Sequence, residues 1–226
     1  MRRDYELDDE QLELVLEHCG QAGKGVCGID EVGRGALAGP VVAAAVVLRG
    51  DVPRGLADSK IVSPKRREAL FEELSRTALV GVGIVDVDVI DRVNILEANF
   101  VAMQMALQSL AQMAFTGELG AVLVDGNHLT WALRRDCAGL GATIFTVVKG
   151  DAKVAAISAA SIIAKVTRDR IMKSLDPIHP GYSFAANSGY GSPAHLAGLK
   201  DLGPSAVHRQ TFAPVAEARR RKASAF

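Results

Sequence analysis

The stretch GVCGIDEVGRGALAGPVVAAAVVL, from Gly25 to Leu48, constrains this chain more than any other part of it. A short apolar run, Val26 to Ile29, ends in two adjacent carboxylates, Asp30 and Glu31. Gly33-Arg34-Gly35 follows, and Gly39-Pro40 then opens a second run, Val41 to Leu48, that is wholly apolar. Two such runs joined by a glycine-rich turn read as buried strands of a hairpin. Carboxylates at a buried strand end are costly unless a cation or a hydrogen-bond network offsets their charge. Glycines on both sides of Arg34 let the backbone take φ > 0 or come very close to a ligand. Acid pair, flexible basic turn and apolar platform together describe a site that holds divalent metal beside a phosphodiester.

Two further strand ends deliver acid. Ala121 to Val124 leads into Asp125-Gly126, and Ala142 to Val148 into Lys149-Gly150-Asp151. Alone, an Asp-Gly pair is an ordinary turn and Asp151 an ordinary helix cap. Convergence changes the balance, because open α/β sheets bind ligands at one such edge. Carboxylates, waters and phosphate oxygens form the usual shell of Mg²⁺ or Mn²⁺. Two ions roughly 3.5–4 Å apart serve phosphodiester hydrolysis. One obstacle stands: neighbouring strand residues point to opposite faces. Asp30 and Glu31 share a site only if the backbone bends there, which Gly28 and Gly33 permit.

The remaining pattern supplies the frame. Asp8 to His18 is a short amphipathic helix and Gly20 to Gly25 a loop; Arg49 to Ser63 is a polar loop holding Asp58-Ser59-Lys60. Ser63-Pro64 starts a helix that runs to about Thr77. Ala78 to Val87 alternates as a strand. One long helical region is expected from about Asp91 to Phe115, with Phe100, Met103, Leu107, Leu110 and Ala114 on one face and Gln104, Gln108 and Gln112 on another. Val154 to about Met172 is helical and rich in small residues. Beyond Asp176 come short helices and a basic tail, Glu217 to Lys222, expected to be a disordered end. The expected division is 1–24 (helix and loop), 25–175 (catalytic core) and 176–226 (C-terminal helices and tail).

With 226 residues, nearly half apolar and few aromatic, the chain fits one α/β core. Its 26 basic and 26 acidic residues cancel, so nucleic acid would need a local basic patch. Three scattered cysteines give neither a disulfide framework nor a zinc spacing and point to a reducing compartment. The charged N-terminus is no signal peptide, and no run reaches transmembrane length. A soluble, cytoplasmic monomer with no membrane contact is expected. Nucleoside-triphosphate, serine-hydrolase, dinucleotide and HExxH zinc motifs are missing.

Six segments resemble a known family. They are GIDEVGRGALAGPVVAAAVVL, ADSK at 57–60, LVDG at 123–126, KGDAKVAAISAASIIAKVTRDR at 149–170, SGYGSPAH at 188–195 and HRQTFAP at 208–214. Their order and content, from Gly25 to Pro214, are similar to the type 2 ribonucleases H. The resemblance implies a ribonuclease-H-like α/β fold, a five-stranded mixed sheet flanked by helices with a helical C-terminal portion. It implies metal-dependent endonucleolytic hydrolysis of the RNA strand of RNA–DNA hybrids, leaving 5′-phosphate and 3′-hydroxyl ends. Cleavage 5′ of a single ribonucleotide in duplex DNA is included, as in ribonucleotide and primer removal. Mn²⁺ or Mg²⁺ in a two-ion site is the implied cofactor. RNA–DNA hybrid and ribonucleotide-containing duplex DNA are the implied partners.

Carried over by position, the family's catalytic and metal-holding acids fall on Asp30, Glu31, Asp125 and Asp151, the same four selected above. Asp30 and Asp151 would serve the water-activating ion, Glu31 and Asp125 the other. The turn that recognises the ribose 2′-hydroxyl falls on Gly33, Arg34 and Gly35, and the junction-sensing tyrosine on Tyr190. Lys60, Ser161 and Lys165 match phosphate contacts. Arg168 shares a helical face with Ser161 and Lys165 by spacing; the three either follow a nucleic-acid backbone as one patch or, for Arg168 equally, form a solvated helix face. Type 3 relatives carry glutamate as the fourth acid and a sizeable N-terminal domain. Aspartate at 151 and the 24 residues ahead of the core favour type 2.

Overall fold

A computed structural model describes residues 5–56, 62–113 and 118–223. Lys60 with the rest of the ADSK segment, and Ala114, lie outside the described residues. Strand β1 (Glu6–Leu7) leads into helix α1 (Asp9–Gln21), which Asp8 opens in a capping box with Gln11. The expected hairpin follows: β2 (Gly25–Val32) and β3 (Val41–Val47) pair antiparallel. Helix α2 (Pro64–Thr77) starts at the expected cap, Ser63 Oγ accepting from the Arg66 N–H. Strand β4 (Leu79–Val85) pairs antiparallel with β3.

The single long helix expected from Asp91 to Phe115 is instead two, α3 (Val87–Val93) and α4 (Ile95–Ala111). Asn94 sits between them at φ 72°, its side chain accepting from the Leu96 and Glu97 N–H groups. Asp86 caps α3, which is why β4 stops short of Val87. Strand β5 (Leu119–Asp125), helix α5 (Trp131–Gly139) and strand β6 (Thr143–Val147) come next. Then follow α6 (Gly150–Lys153), α7 (Ala155–Leu175), α8 (Phe184–Asn187), α9 (Pro193–Leu202) and α10 (Ala213–Ala223). The basic tail therefore continues a helix rather than a disordered end. Val215 is buried with Leu37 and Leu199, and Lys222 Nζ donates to the Leu202 carbonyl.

Strand order in the mixed sheet is β1-β6-β5-β2-β3-β4. Six strands stand where five were expected, because β1 pairs parallel with β6 over two residues, too few to leave a periodic signal. Strands β2, β5 and β6 run parallel, so their C-terminal ends share one edge. β3 is buried on both faces: Val41, Ala43, Ala45 and Val47 pack with α4, while Val42, Ala44 and Val46 pack with α2 and α7. The helices come unusually near the sheet where glycine or alanine allows it. A Cβ on Gly83 would lie 2.0 Å from the Ala102 carbonyl oxygen, and one on Gly28 2.2 Å from the α7 backbone at Ala156 and Ile157. Among the described residues no helix is long and apolar enough to cross a membrane. Gly83→Ala should lower unfolding free energy by about 2 kcal/mol, the cost of overpacking against backbone that cannot yield. Chemical denaturation of the two proteins checks this.

Candidate active site

β2 outlasts its parallel neighbour. Its pairing with β5 ends at Ile29↔Val124, whereas its pairing with β3 continues in register to Val32↔Val42. Asp30 and Glu31 thus occupy an edge that β5 has vacated, next to Asp125, the last residue of β5. Side-chain alternation persists along β2: Asp30 meets Ser161 of α7, and Glu31 meets Asn99 of α4. The charges of Glu31 and Asp125 reach Asp30, and that of Asp125 reaches Glu31, around the open edge without a bend in β2, and Gly28 serves the approach of α7 instead. Asp125 Oδ1 accepts from the Gly150 N–H at 2.7 Å, tying it to the turn that carries Asp151. Asp151 is buried in the first turn of α6.

Burial pushes the Asp30 carboxyl well above the usual range, and the charges of Glu31 and Asp125 push the same way. The Ser161 hydroxyl and the Glu31 N–H, 2.7 Å from Asp30 Oδ1, oppose the rise. Glu31 is also raised, chiefly by burial, against the pull of Arg34 Nη1 at 3.2 Å. Among the described residues no three His, Cys, Asp or Glu side chains are already drawn round one point as ligands. The donor chemistry nevertheless fits a hard divalent cation: the donors are oxygens, and ionised together they repel one another. A cavity of about 200 Å³ lined by Glu31, Arg34, Asn99, Asp125, Asn127 and His128 adds one more oxygen. Asn99 Oδ1 is buried there without a hydrogen-bond partner.

Beside the acids, the turn at 33–40 is gripped from behind. Arg168, 0% exposed, donates to the carbonyls of Pro40 (2.8 Å), Ala38 (3.0 Å) and Ser188 (2.7 Å). Arg209, also 0% exposed, donates to Gly39 (3.1 and 3.0 Å) and Arg34 (2.9 Å). Burial lowers both guanidinium pKa values, that of Arg209 to about 9 with the Arg168 charge adding to the effect. Gly33, at φ 95°, leaves room for this grip, since a Cβ there would lie 2.2 Å from Arg168 Nε. Arg168 therefore belongs neither to a phosphate patch nor to a solvated helix face: the loop after α8 covers it, and its donors serve backbone.

Tyr190 stands next to this turn, 37% exposed, with the Arg168 guanidinium 5.4 Å from its ring centre. A Cβ on Gly35 would touch its Cε1 at 3.9 Å. Ser161 is buried behind Asp30, and Lys165 Nζ is paired with Asp169 at 2.7 Å. Asn99 was not among the expected site residues. Its signal is a lone amide on the apolar face of α4, at helical spacing with Met103 and Leu107. Helix α5 also went unassigned, although its Asp136 accepts from Gln104 and Gln108, which explains two of the three glutamines on that face.

The fold is that of the ribonuclease-H-like nucleases. The ribonuclease H2 of Pyrococcus horikoshii OT3 superposes with a TM-score of 0.66 at 29% identity, over 87% of this chain and 98% of that one. The ribonuclease HII family model matches residues 27–215. The ribonuclease HII of Ralstonia nicotianae is 47% identical over 214 residues, 92% of this chain and 86% of the relative. That of Cupriavidus pinatubonensis is 45% identical over 223 residues, 97% and 98% of the two chains. This chain belongs to the ribonuclease HII family and is an endoribonuclease of the ribonuclease H type.

The raised Asp30 carboxyl means that the native state binds more protons than the unfolded state from about pH 4 up to the raised value. Stability is lost as pH rises through that window. In chelator, Asp30→Asn should melt at a higher temperature than the parent chain at pH 7. The difference should shrink as pH falls towards about 4, which thermal melts across that range measure.

Proposed function

We propose that this chain cuts the RNA strand of RNA–DNA hybrids and also cuts 5′ of a lone ribonucleotide in duplex DNA. Asp30, Glu31, Asp125 and Asp151 would hold Mn²⁺ or Mg²⁺, and the products would carry 5′-phosphate and 3′-hydroxyl ends. One observation carries the reading: three parallel strand ends bring acids to one sheet edge, directly beside the Gly33-Arg34-Gly35 turn and Tyr190. Bound divalent ions would activate water and stabilise the leaving oxygen of the phosphodiester. The chain's own share is orientation. The Gly150 N–H fixes the Asp125 carboxyl, the Ser161 hydroxyl and Glu31 N–H fix Asp30, and Arg34 offsets the Glu31 charge. A preset arrangement of this kind needs little reorganisation during reaction.

Specificity belongs to the turn and the tyrosine. The 2′-hydroxyl distinguishes RNA from DNA, and the small residues of the turn bring backbone to a sugar that a bulkier loop would hold off. The Tyr190 ring would stack where ribose gives way to deoxyribose. Lys60 and Lys165 would contact backbone phosphates, Lys165 by exchanging Asp169 for phosphate. Ser161 would act through Asp30.

Asp125→Asn preserves the hydrogen bond to Gly150 but removes a charge, and should lower kcat on a continuous hybrid by about 10²–10³ with a melting temperature no lower than that of the parent chain. Parent-like turnover with Mg²⁺ or Mn²⁺ would remove Asp125 from the mechanism. Tyr190→Ala should cost roughly tenfold or more in kcat/KM on a duplex with one ribonucleotide, the value of one stacking contact. On a continuous hybrid the loss should be smaller, and gel assays on the two substrates compare them.

A further inference from the structure

Behind Tyr190 two wholly buried imidazoles meet. His195 of α9 and His208 have their Nε2 atoms 3.0 Å apart. Their proton positions follow from their neighbours. The Ser205 N–H donates to His208 Nδ1 at 3.0 Å, so that nitrogen carries the lone pair and neutral His208 holds its proton on Nε2. That proton is donated to His195 Nε2. His195 is then protonated on Nδ1, which donates to the Tyr190 carbonyl at 2.9 Å. From Ser205 to Tyr190 every link has one donor and one acceptor, in a single direction.

The surroundings keep both rings neutral. Tyr182 and Phe184 pack around the pair, and Ser205 Oγ also lies 2.9 Å from His208 Nδ1. Burial lowers His195, and burial, with smaller contributions from His195 and His179, lowers His208 to about 4. The same segment grips the neighbouring turn. His208 bridges Ala38 through its backbone, and Arg209 holds the Arg34 and Gly39 carbonyls. Residues 205–209 therefore hold the turn directly and reach the Tyr190 carbonyl through His195.

We propose that His208 is a positioning residue that acts through His195 to set the Tyr190 loop against the Gly33-Arg34-Gly35 turn, and so sets the preference for a lone ribonucleotide over a continuous hybrid. This rests on the reading of Tyr190 as the junction-sensing ring.

Long-range ¹H–¹⁵N spectra of the intact chain at neutral pH test the relay without any variant. His208 should carry its proton on Nε2 and His195 on Nδ1; a charged ring, or His195 protonated on Nε2, would overturn it. In kinetics the readout is the ratio of kcat/KM on the single-ribonucleotide duplex to that on a continuous hybrid. His208→Leu should lower this ratio roughly tenfold, about what a lost buried hydrogen-bond partner is worth. His208→Gln, whose amide can still donate to His195, should restore most of it. In a Tyr190→Ala background His208→Leu should change the ratio by less than about twofold, as residues acting as one unit do. Equal loss on both substrates, or an undiminished effect in that background, would overturn the proposal. Tyr190→Ala alone separates the two ideas. An unchanged ratio there removes the junction reading itself, whereas a lowered ratio with no coupling to His208 removes only the relay.

Discussion

Two guanidinium groups shut away from water hold the turn at 33–40, beside the acids at the strand ends. The carbonyls of Arg34, Ala38, Gly39 and Pro40 lie where β2 has ended and β3 has barely begun, and buried carbonyls need donors. Arginine suits the task because its planar fork offers five donors and is weakly hydrated for a cation. Arg168 reaches the turn from α7 and Arg209 from the segment after α9, so the turn is clamped from two directions. Arg168 also takes the Ser188 carbonyl, which brings the loop of Tyr190 into the same clamp. Both cations are kept charged at a cost, visible in their lowered pKa values, and direct bonds to carbonyl dipoles offset it.

The acids on the other side of the turn carry the opposite strain. Stability alone would not place Glu31 and Asp125 close enough to raise the Asp30 carboxyl, and local rules are commonly broken at functional sites. The fold tolerates the arrangement because each carboxyl has a fixed donor: a backbone N–H for Asp30 and Asp125, and Arg34 for Glu31. Strand length is the device that gathers them. If β5 paired with β2 beyond Ile29, Asp30 and Glu31 would lie inside a ladder on opposite faces, with no shared edge.

Close layering completes the arrangement. Gly28 admits the α7 backbone and Gly81 and Gly83 admit α4 at distances that a methyl group would forbid. That closeness places Ser161 behind Asp30 and Asn99 behind Glu31. Small residues in β2 and β4 thus determine which polar side chains stand behind the acids. Gln104 and Gln108 of α4 are settled in a similar way, by Asp136 of α5.

Local chemistry was readable in the chain itself. The hairpin, the Ser63-Pro64 start, the small-residue helix α7 and the acid-bearing ends of β2 and β5 are all announced by residues close in sequence, where periodicity and turn preference act. The break at Asn94 and the two-residue strand β1 were not, because one depends on a single left-handed residue and the other on a partner far along the chain. Helical spacing correctly placed Arg168 on a face with Ser161 and Lys165 but could not say what covers that face. The C-terminal basic run had the same difficulty, since docking through Val215 and Lys222 depends on α9 and the 33–40 turn. Sequence alone determined which residues carry charge and which strands end in it. Only the tertiary structure decided which of those charges meets water and which meets backbone, because the solvation of an ion is set by whatever distant segment packs over it.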